Sequence, residues 1–189
     1  REYEADYQKW QANIDACRAE NPNVTWKELH ERCGECPWPQ PTGWQSPFCP
    51  NNLHRTMIQR VAPYTLRGFL YYQGEEDVVR YEGYSDMMIA LVKQWRMDWN
   101  DWSLPFLFVQ LPMYLAIDTE DDKKWAMQRE QQAIAAAMLK RVGMISMTDC
   151  GEFDNIHPLD KETPGTRLAL LAEQMVYGTG EEWTPTVQQ

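Results

Sequence analysis

Apolar residues in the first twenty positions fall at Tyr3, Tyr7, Trp10, Ile14 and Cys17, at steps of four, three, four and three. That rhythm lays a single stripe along one face and predicts an amphipathic helix over residues 1–20. Asn21-Pro22-Asn23 ends it. Thr25, with Glu28 three residues on, forms a capping box that opens a short second helix running to about Arg32. From Cys33 to Pro50 the chain holds five prolines and two glycines, which predicts irregular loop. Residues 1–50 therefore read as a helical hairpin plus a Pro-rich loop, inserted on a larger body.

The texture changes after Pro50. His54, following Asn51-Asn52, opens a helix. LRGFLYY (66–72) is a short apolar, aromatic run ending at Gln73-Gly74, the pattern of a buried strand. Residues 78–99 have helical spacing in Tyr84, Met87, Met88, Leu91 and Trp95. LPFLFVQLP (104–112) predicts a second buried strand, and 124–141 a helix with Met127, Ile134 and Met138 on one face. VGMISMTD (142–149) predicts a third strand, and 163–177 a last helix with Pro164 in its first turn. Apolar strands alternating with crossover helices indicate an α/β fold built of parallel βαβ units. Loops at the carboxyl ends of such strands hold the functional groups. Here they are QGEED, QLP and TDCGEFDNIHP. Residues 51–180 form this α/β body, and 181–189 a tail or linker.

Charge and composition narrow the function. A formal net charge of −10 argues against nucleic acid, because phosphate binding needs clustered Lys and Arg. No apolar run reaches the ~20 residues of a membrane span. The opening REYEADYQKW is charged, is no signal peptide and lacks an initiator Met, so the chain reads as a processed subunit or a truncated piece. Nine Trp and nine Tyr suit both a core and sugar-stacking walls. Of five cysteines, Cys17, Cys33, Cys36 and Cys49 lie in the first 50 residues. The CGEC run could supply two zinc ligands, but no second close pair follows, so disulfides or free thiols are the favoured readings.

Three histidines are present. His30 lies among Glu28 and Glu31 as a surface residue, and His54 suits a local hydrogen bond. His157 alone sits in a strand-to-helix loop, three positions after Asp154. A general base needs its ring held in one tautomer, and a carboxylate on the far ring nitrogen does that. The same spacing allows an Asp–His pair that merely caps the helix near Thr163. Gln73-Gly74-Glu75 offers an amide, a free backbone and a carboxylate, able to stabilise an oxyanion or simply to make a turn. Cys150 beside His157 is a minor candidate thiolate nucleophile. Ser46 lacks the Gly-x-Ser-x-Gly elbow and reads as structural.

NLHRTMIQRVAPYTLRGFLYYQGEED, LPFLFVQLP, the W-x-x-x-R-E-x-Q pattern of WAMQREQQ and DCGEFDNIHPLDKETPGTRLA, in that order, resemble the sialate O-acetylesterase family. These are SGNH-type carbohydrate esterases on a flavodoxin-like fold, and the resemblance spans roughly residues 50–175. It implies a parallel sheet flanked by helices, incomplete in this chain. It implies His157 as general base, Asp154 as its orienter, Gln73 and Gly74 as the oxyanion element and Glu75 as a structural hydrogen-bonder. Arg129, Lys161, Gly165 and Arg167 match family positions that support the fold and the His loop. Glu76-Asp77 depart from the Ser-Asn usual after QGE. The family's serine lies in a Gly-Gln-Ser-Asn-like motif upstream of Arg1, so a companion chain or preceding segment would have to carry it. The implied substrate is an O-acetylated sugar, such as acetylated sialic acid or xylan, with no metal or organic cofactor. An extracytoplasmic setting (secreted, periplasmic or lysosomal) is favoured. A carbohydrate-binding or interaction module that keeps the scaffold without chemistry is the alternative.

Overall fold

The computed structural model describes residues 2–37, 46, 49–115 and 120–179. The expected tail at 181–189 and most of the Pro-rich loop lie outside the described residues. The chain forms two compact units, Arg1–Val61 and Ala62–Gln189.

In the first unit, helix α1 (Glu2–Glu20) and helix α2 (Trp26–Cys33) follow the expected periodicity and break. The Thr25 side chain accepts from the Glu28 amide while the Glu28 carboxylate accepts from the Thr25 amide, completing the capping box. Ile14, Cys17 and Leu29 are buried between the two helices, with Trp10, Val24 and Cys33 packed around them. A π-helical turn at His54–Ile58 then leads into the short helix α3 (Gln59–Val61).

The second unit holds strands β1 (Phe69–Tyr71), β2 (Phe106–Val109) and β3 (Val142–Ile145), in that spatial order and all parallel. Phe69 registers with Phe106, and Phe106 with Val142. Helix α4 (Tyr84–Asp98) and helix α5 (Lys124–Met138) connect the strands, and helix α6 (Glu162–Ala172) follows β3. β2 is central and all four of its residues are buried. Phe106 and Phe108 join Phe69, Tyr84, Met88, Val92 and Ala135 on one face; Leu107 and Val109 join Ile145, Met147, Leu168 and Leu171 on the other. Fully burying each such side chain contributes roughly 1.5–3 kcal/mol, which is why β2 reads as an unbroken apolar run. Phe69, Tyr71, Trp95, Trp99 and Phe106 form one ring cluster, so much of the aromatic content is spent on this core.

Two expectations need correction. Residues 78–99 are not one helix: a 3-10 run, Glu76–Gly83, is broken at Arg80 before α4 begins. Its start is held where Asp77 accepts from the Gln73 amide at 2.8 Å, and α4 is docked where the Tyr84 hydroxyl donates to the Gln73 carbonyl at 3.2 Å. The chain between those anchors winds tightly. In α5 the inward face is not Met127, Ile134 and Met138, all of which are exposed. Gln128, Gln132 and Ala135 are buried instead, because the loops above the sheet offer Gln132 polar partners.

Candidate active site

The loops following β1, β2 and β3 meet at the carboxyl end of the sheet. After β1, Gln73 is gripped at both ends of its amide. The Tyr71 hydroxyl donates to Oε1 at 3.0 Å, and Nε2 donates to Asp77 Oδ2 at 2.8 Å. Burial, with the nearby carboxylates of Asp77 and Glu75, pushes the Tyr71 phenol up to about 12, so it stays a donor at neutral pH. Gly74 follows at φ 145°, where a Cβ would stand 3.2 Å from both the Gln128 and Gln132 amide nitrogens and 3.3 Å from the Tyr84 hydroxyl. Only glycine suits that conformation and that space. Glu75 is half-buried.

Gln132 joins the first loop to the second. Its Oε1 accepts from the Leu111 amide at 2.9 Å, and its Nε2 lies 3.4 Å from the carbonyls of Gln73 and Val109. Gln128 is also fully buried, and neither atom of its side-chain amide has a hydrogen-bond partner among the described residues. Gln110 joins α5 to the start of the loop after β3: Nε2 donates to the Arg129 carbonyl at 3.1 Å, and Oε1 accepts from the Ser146 hydroxyl at 3.1 Å. The Arg129 guanidinium is half-buried, and desolvation lowers its pKa from the ordinary value.

The loop after β3 carries Asp154 and His157. Arg167 of α6 latches its root, donating to both carboxylate oxygens of Asp149 at 2.7 and 2.6 Å and to the Ser146 carbonyl at 2.6 Å. That pairing holds the Asp149 carboxyl well below the usual carboxylate range. Gly151 lies so close to the second loop that a Cβ would stand 2.7 Å from Pro112 Cβ, and the Leu115 amide donates to the Phe153 carbonyl at 2.8 Å. Further along, Glu152 accepts from the Leu159 amide at 2.6 Å and from Asn155 Nδ2 at 2.7 Å, while Asn155 Oδ1 accepts from the His157 amide at 3.0 Å. The backbone N–H of Leu159, then Asn155, lower the Glu152 pKa.

Asp154 and His157 are both exposed on this self-braced loop, and no hydrogen bond joins their side chains among the described residues. The cap of α6, which the spacing also allowed to that pair, comes from Asp160: its carboxylate accepts from the amides of Glu162 and Thr163. Lys161 crosses back to the first loop, its ammonium 5.0 Å from the centroid of the Tyr72 ring. Cys150 contacts Met147 and Asp149 rather than His157, and burial pushes its thiol up, which opposes a thiolate nucleophile.

His30 is exposed, with its ring against Trp26, and His54 is half-buried in the first unit. The Ser46 carbonyl accepts from Asn52 Nδ2 at 2.7 Å in a local turn. All five cysteines are free thiols. Among the described residues no group of three or more His, Cys, Asp or Glu side chains could hold a metal ion, and no helix is long and apolar enough to cross a membrane.

The profile of the carbohydrate esterase, sialic acid-specific acetylesterase family matches residues 40–176, well over half the chain. The chain belongs to that family. Rat sialate O-acetylesterase is 30% identical over 142 residues, covering 67% of this chain and 26% of the relative. The human sialate O-acetylesterase is 29% identical over 161 residues, covering 77% of this chain and 30% of the relative. The crystal structure of a carbohydrate acetylesterase from Xanthomonas citri superposes with a TM-score of 0.60 at 35% identity, covering 65% of this chain and 28% of that one. The open three-stranded sheet with helices on both faces is thus the fold of an SGNH-type acetylesterase. This acetylesterase-family chain spans less than a third of the length of these relatives.

Tyr71 and Asp77, which grip Gln73, and the link from Asp149 to Arg167 carry no local signal in the sequence. Gln132 stood inside the W-x-x-x-R-E-x-Q pattern. A polar residue recurring every fourth position on an inward helix face was the available signal.

Proposed function

We propose that this chain carries the acid–base half of a carbohydrate O-acetylesterase site. His157 is the general base and Asp154 its orienting carboxylate. Gln73 and the backbone N–H groups near Gly74 hold the oxyanion. The nucleophile is a serine on a companion polypeptide or preceding segment. No metal or organic cofactor takes part.

The serine hydroxyl attacks the acetyl carbonyl carbon as His157 takes its proton. The tetrahedral intermediate collapses, and the departing sugar oxygen receives that proton from His157. Water, deprotonated by His157, then attacks the acyl-enzyme, releasing acetate and restoring the serine. Gln73 suits its role because Tyr71 fixes the flip of the amide and Asp77 takes only one of its two N–H groups. Catalytic hydrogen bonds often tighten only when substrate is bound, so an Asp154–His157 bond would form in the complex.

β1 offers a place for the serine. Its outer edge pairs with no strand among the described residues, and Leu70 is 64% exposed above an apolar groove lined by Leu107, Ala172 and Val176. A further parallel strand on that edge would end beside Gln73.

The observation that carries the reading is the joining of the QGE loop to the end of the Asp-x-x-His loop through Tyr72 and Lys161. The test is acetate release from O-acetylated sialic acid and acetylated xylan by this chain produced together with its serine-bearing segment. His157→Ala is expected to lower the rate by roughly 10³-fold or more. An unchanged rate in that variant, or no acetate from either sugar, would refute the reading. Sugar binding without acetate release would instead establish the non-catalytic module.

A further inference from the structure

The first unit holds a contact that the esterase chemistry does not use. Cys17 Sγ of α1 and Cys33 Sγ at the end of α2 stand 3.3 Å apart, sixteen positions apart in sequence. Cys17 is 7% exposed, inside the small core with Ile14 and Leu29, while Cys33 is half-buried at its margin. Three further cross-helix contacts set the same register. The Trp10 indole donates to the Gly34 carbonyl at 3.0 Å, Arg32 pairs with Glu20 at 2.6 Å, and the Arg18 guanidinium lies 4.9 Å from the Trp26 ring centroid. The two sulfurs therefore meet because the hairpin is already assembled around them. Closing from van der Waals contact to a bond of ~2.05 Å needs only a small side-chain adjustment.

We propose that Cys17 and Cys33 are a site of covalent closure, forming an intrachain disulfide that staples α1 to α2. The oxidant is a small-molecule disulfide of the glutathione class. One protein thiolate attacks a sulfur of that disulfide, releases one small thiol and leaves a mixed disulfide. The second protein thiolate then attacks the protein sulfur, forms the Cys17–Cys33 bond and releases the second small thiol. Both protein sulfurs are oxidised, the small disulfide is reduced to two thiols, and the two protein thiol protons end on those thiols. Cys36 and Cys49 stay outside this bond; the Cys36 thiol contacts the Pro37 carbonyl.

The pairing differs from a zinc site built on the CGEC run, which would need Cys33 and Cys36 together on one ion. It also gives the hairpin, a unit too small to bury much apolar surface, a means of stability besides its core.

The experiment treats the purified chain with oxidised glutathione, alkylates the remaining thiols and digests it without reduction for mass spectrometry. The expected product is one cross-linked peptide pair containing Cys17 and Cys33, two hydrogens lighter than the separate peptides and absent from both Cys17→Ser and Cys33→Ser. Thermal melts of the oxidised and reduced chains, followed by circular dichroism, are expected to show the helical hairpin raised by on the order of 10 °C. Cross-links to Cys36 or Cys49 instead, full alkylation of Cys17 and Cys33 after oxidation, or a melt indifferent to oxidation would overturn the proposal.

Discussion

The ammonium of Lys161 lies over the ring of Tyr72, 5.0 Å from its centroid. Tyr72 immediately precedes Gln73, and Lys161 stands four residues after His157, so this one contact joins the loop after β1 to the end of the loop after β3. An exposed ammonium over a half-buried ring at the surface is worth about 0.5–1 kcal/mol. Lys161→Met, which keeps the stem and removes the charge, is expected to lower stability in urea titration by no more than that. Because the contact joins two loops of the site, the same variant in the serine-bearing protein should lose several-fold in acetate release. A loss confined to stability would make the contact merely structural.

Asp149 predicts a pH dependence. Arg167 holds its carboxyl far below the usual range, so the folded state binds its proton less readily than the unfolded chain does. The stability it contributes is present above the unfolded carboxylate value near 4 and is lost as pH falls below it. The Asp149 side chain is 64% exposed, so screening limits the contribution to on the order of 1 kcal/mol. Asp149→Asn should flatten the acid limb of a stability–pH curve measured by urea denaturation. An acid limb identical to wild type would show that other carboxylates set it.

Tyr71 predicts the opposite limb. Its phenol is raised to about 12, chiefly by burial, so the folded state keeps a proton that the unfolded chain releases near 10. Its contribution is complete below pH 10 and is lost as pH climbs toward 12. Ultraviolet titration of the wild-type chain should show one tyrosine ionising late, toward pH 12, that is missing from Tyr71→Phe. Tyr71→Phe also frees Gln73 Oε1, and in the serine-bearing protein it should lower kcat more than it raises KM. A Tyr71 that titrates with the exposed tyrosines would contradict the burial argument.

Gly74→Ala places a methyl group against the Gln128 and Gln132 amides at a backbone angle that side chains rarely adopt. The expected cost is roughly 1–3 kcal/mol, read as a lower thermal midpoint with a native-like circular dichroism spectrum below it. A midpoint within a degree of wild type would show that the loop relaxes freely.

Much of the fold could be read along the chain because its signals are local. Thr25 and Glu28 form their capping box within one helical turn, and the alternation of LRGFLYY, LPFLFVQLP and VGMISMTD with helical segments requires parallel crossovers. The inward face of α5 was not legible, since Met127, Ile134 and Met138 outrank Gln128 and Gln132 on any scale of apolar preference. What reversed them was the supply of partners above the sheet, among them the Leu111 amide on Gln132. The candidate site divides the same way. Gln73, Asp154 and His157 were marked by residue type and by the loops that hold them, whereas Tyr71, Asp77 and the latch of Arg167 on Asp149 emerge only from folding.

By itself the sequence determined the order of elements, the parallel α/β architecture and which three loops reach the carboxyl end of the sheet, because periodicity, capping and turn chemistry act between near neighbours. The tertiary structure alone decided which buried amides are paired, how Gln73 is gripped and how Lys161 meets Tyr72. Those contacts join groups far apart in sequence, and their strength depends on burial and on partners that no stretch of chain contains alone.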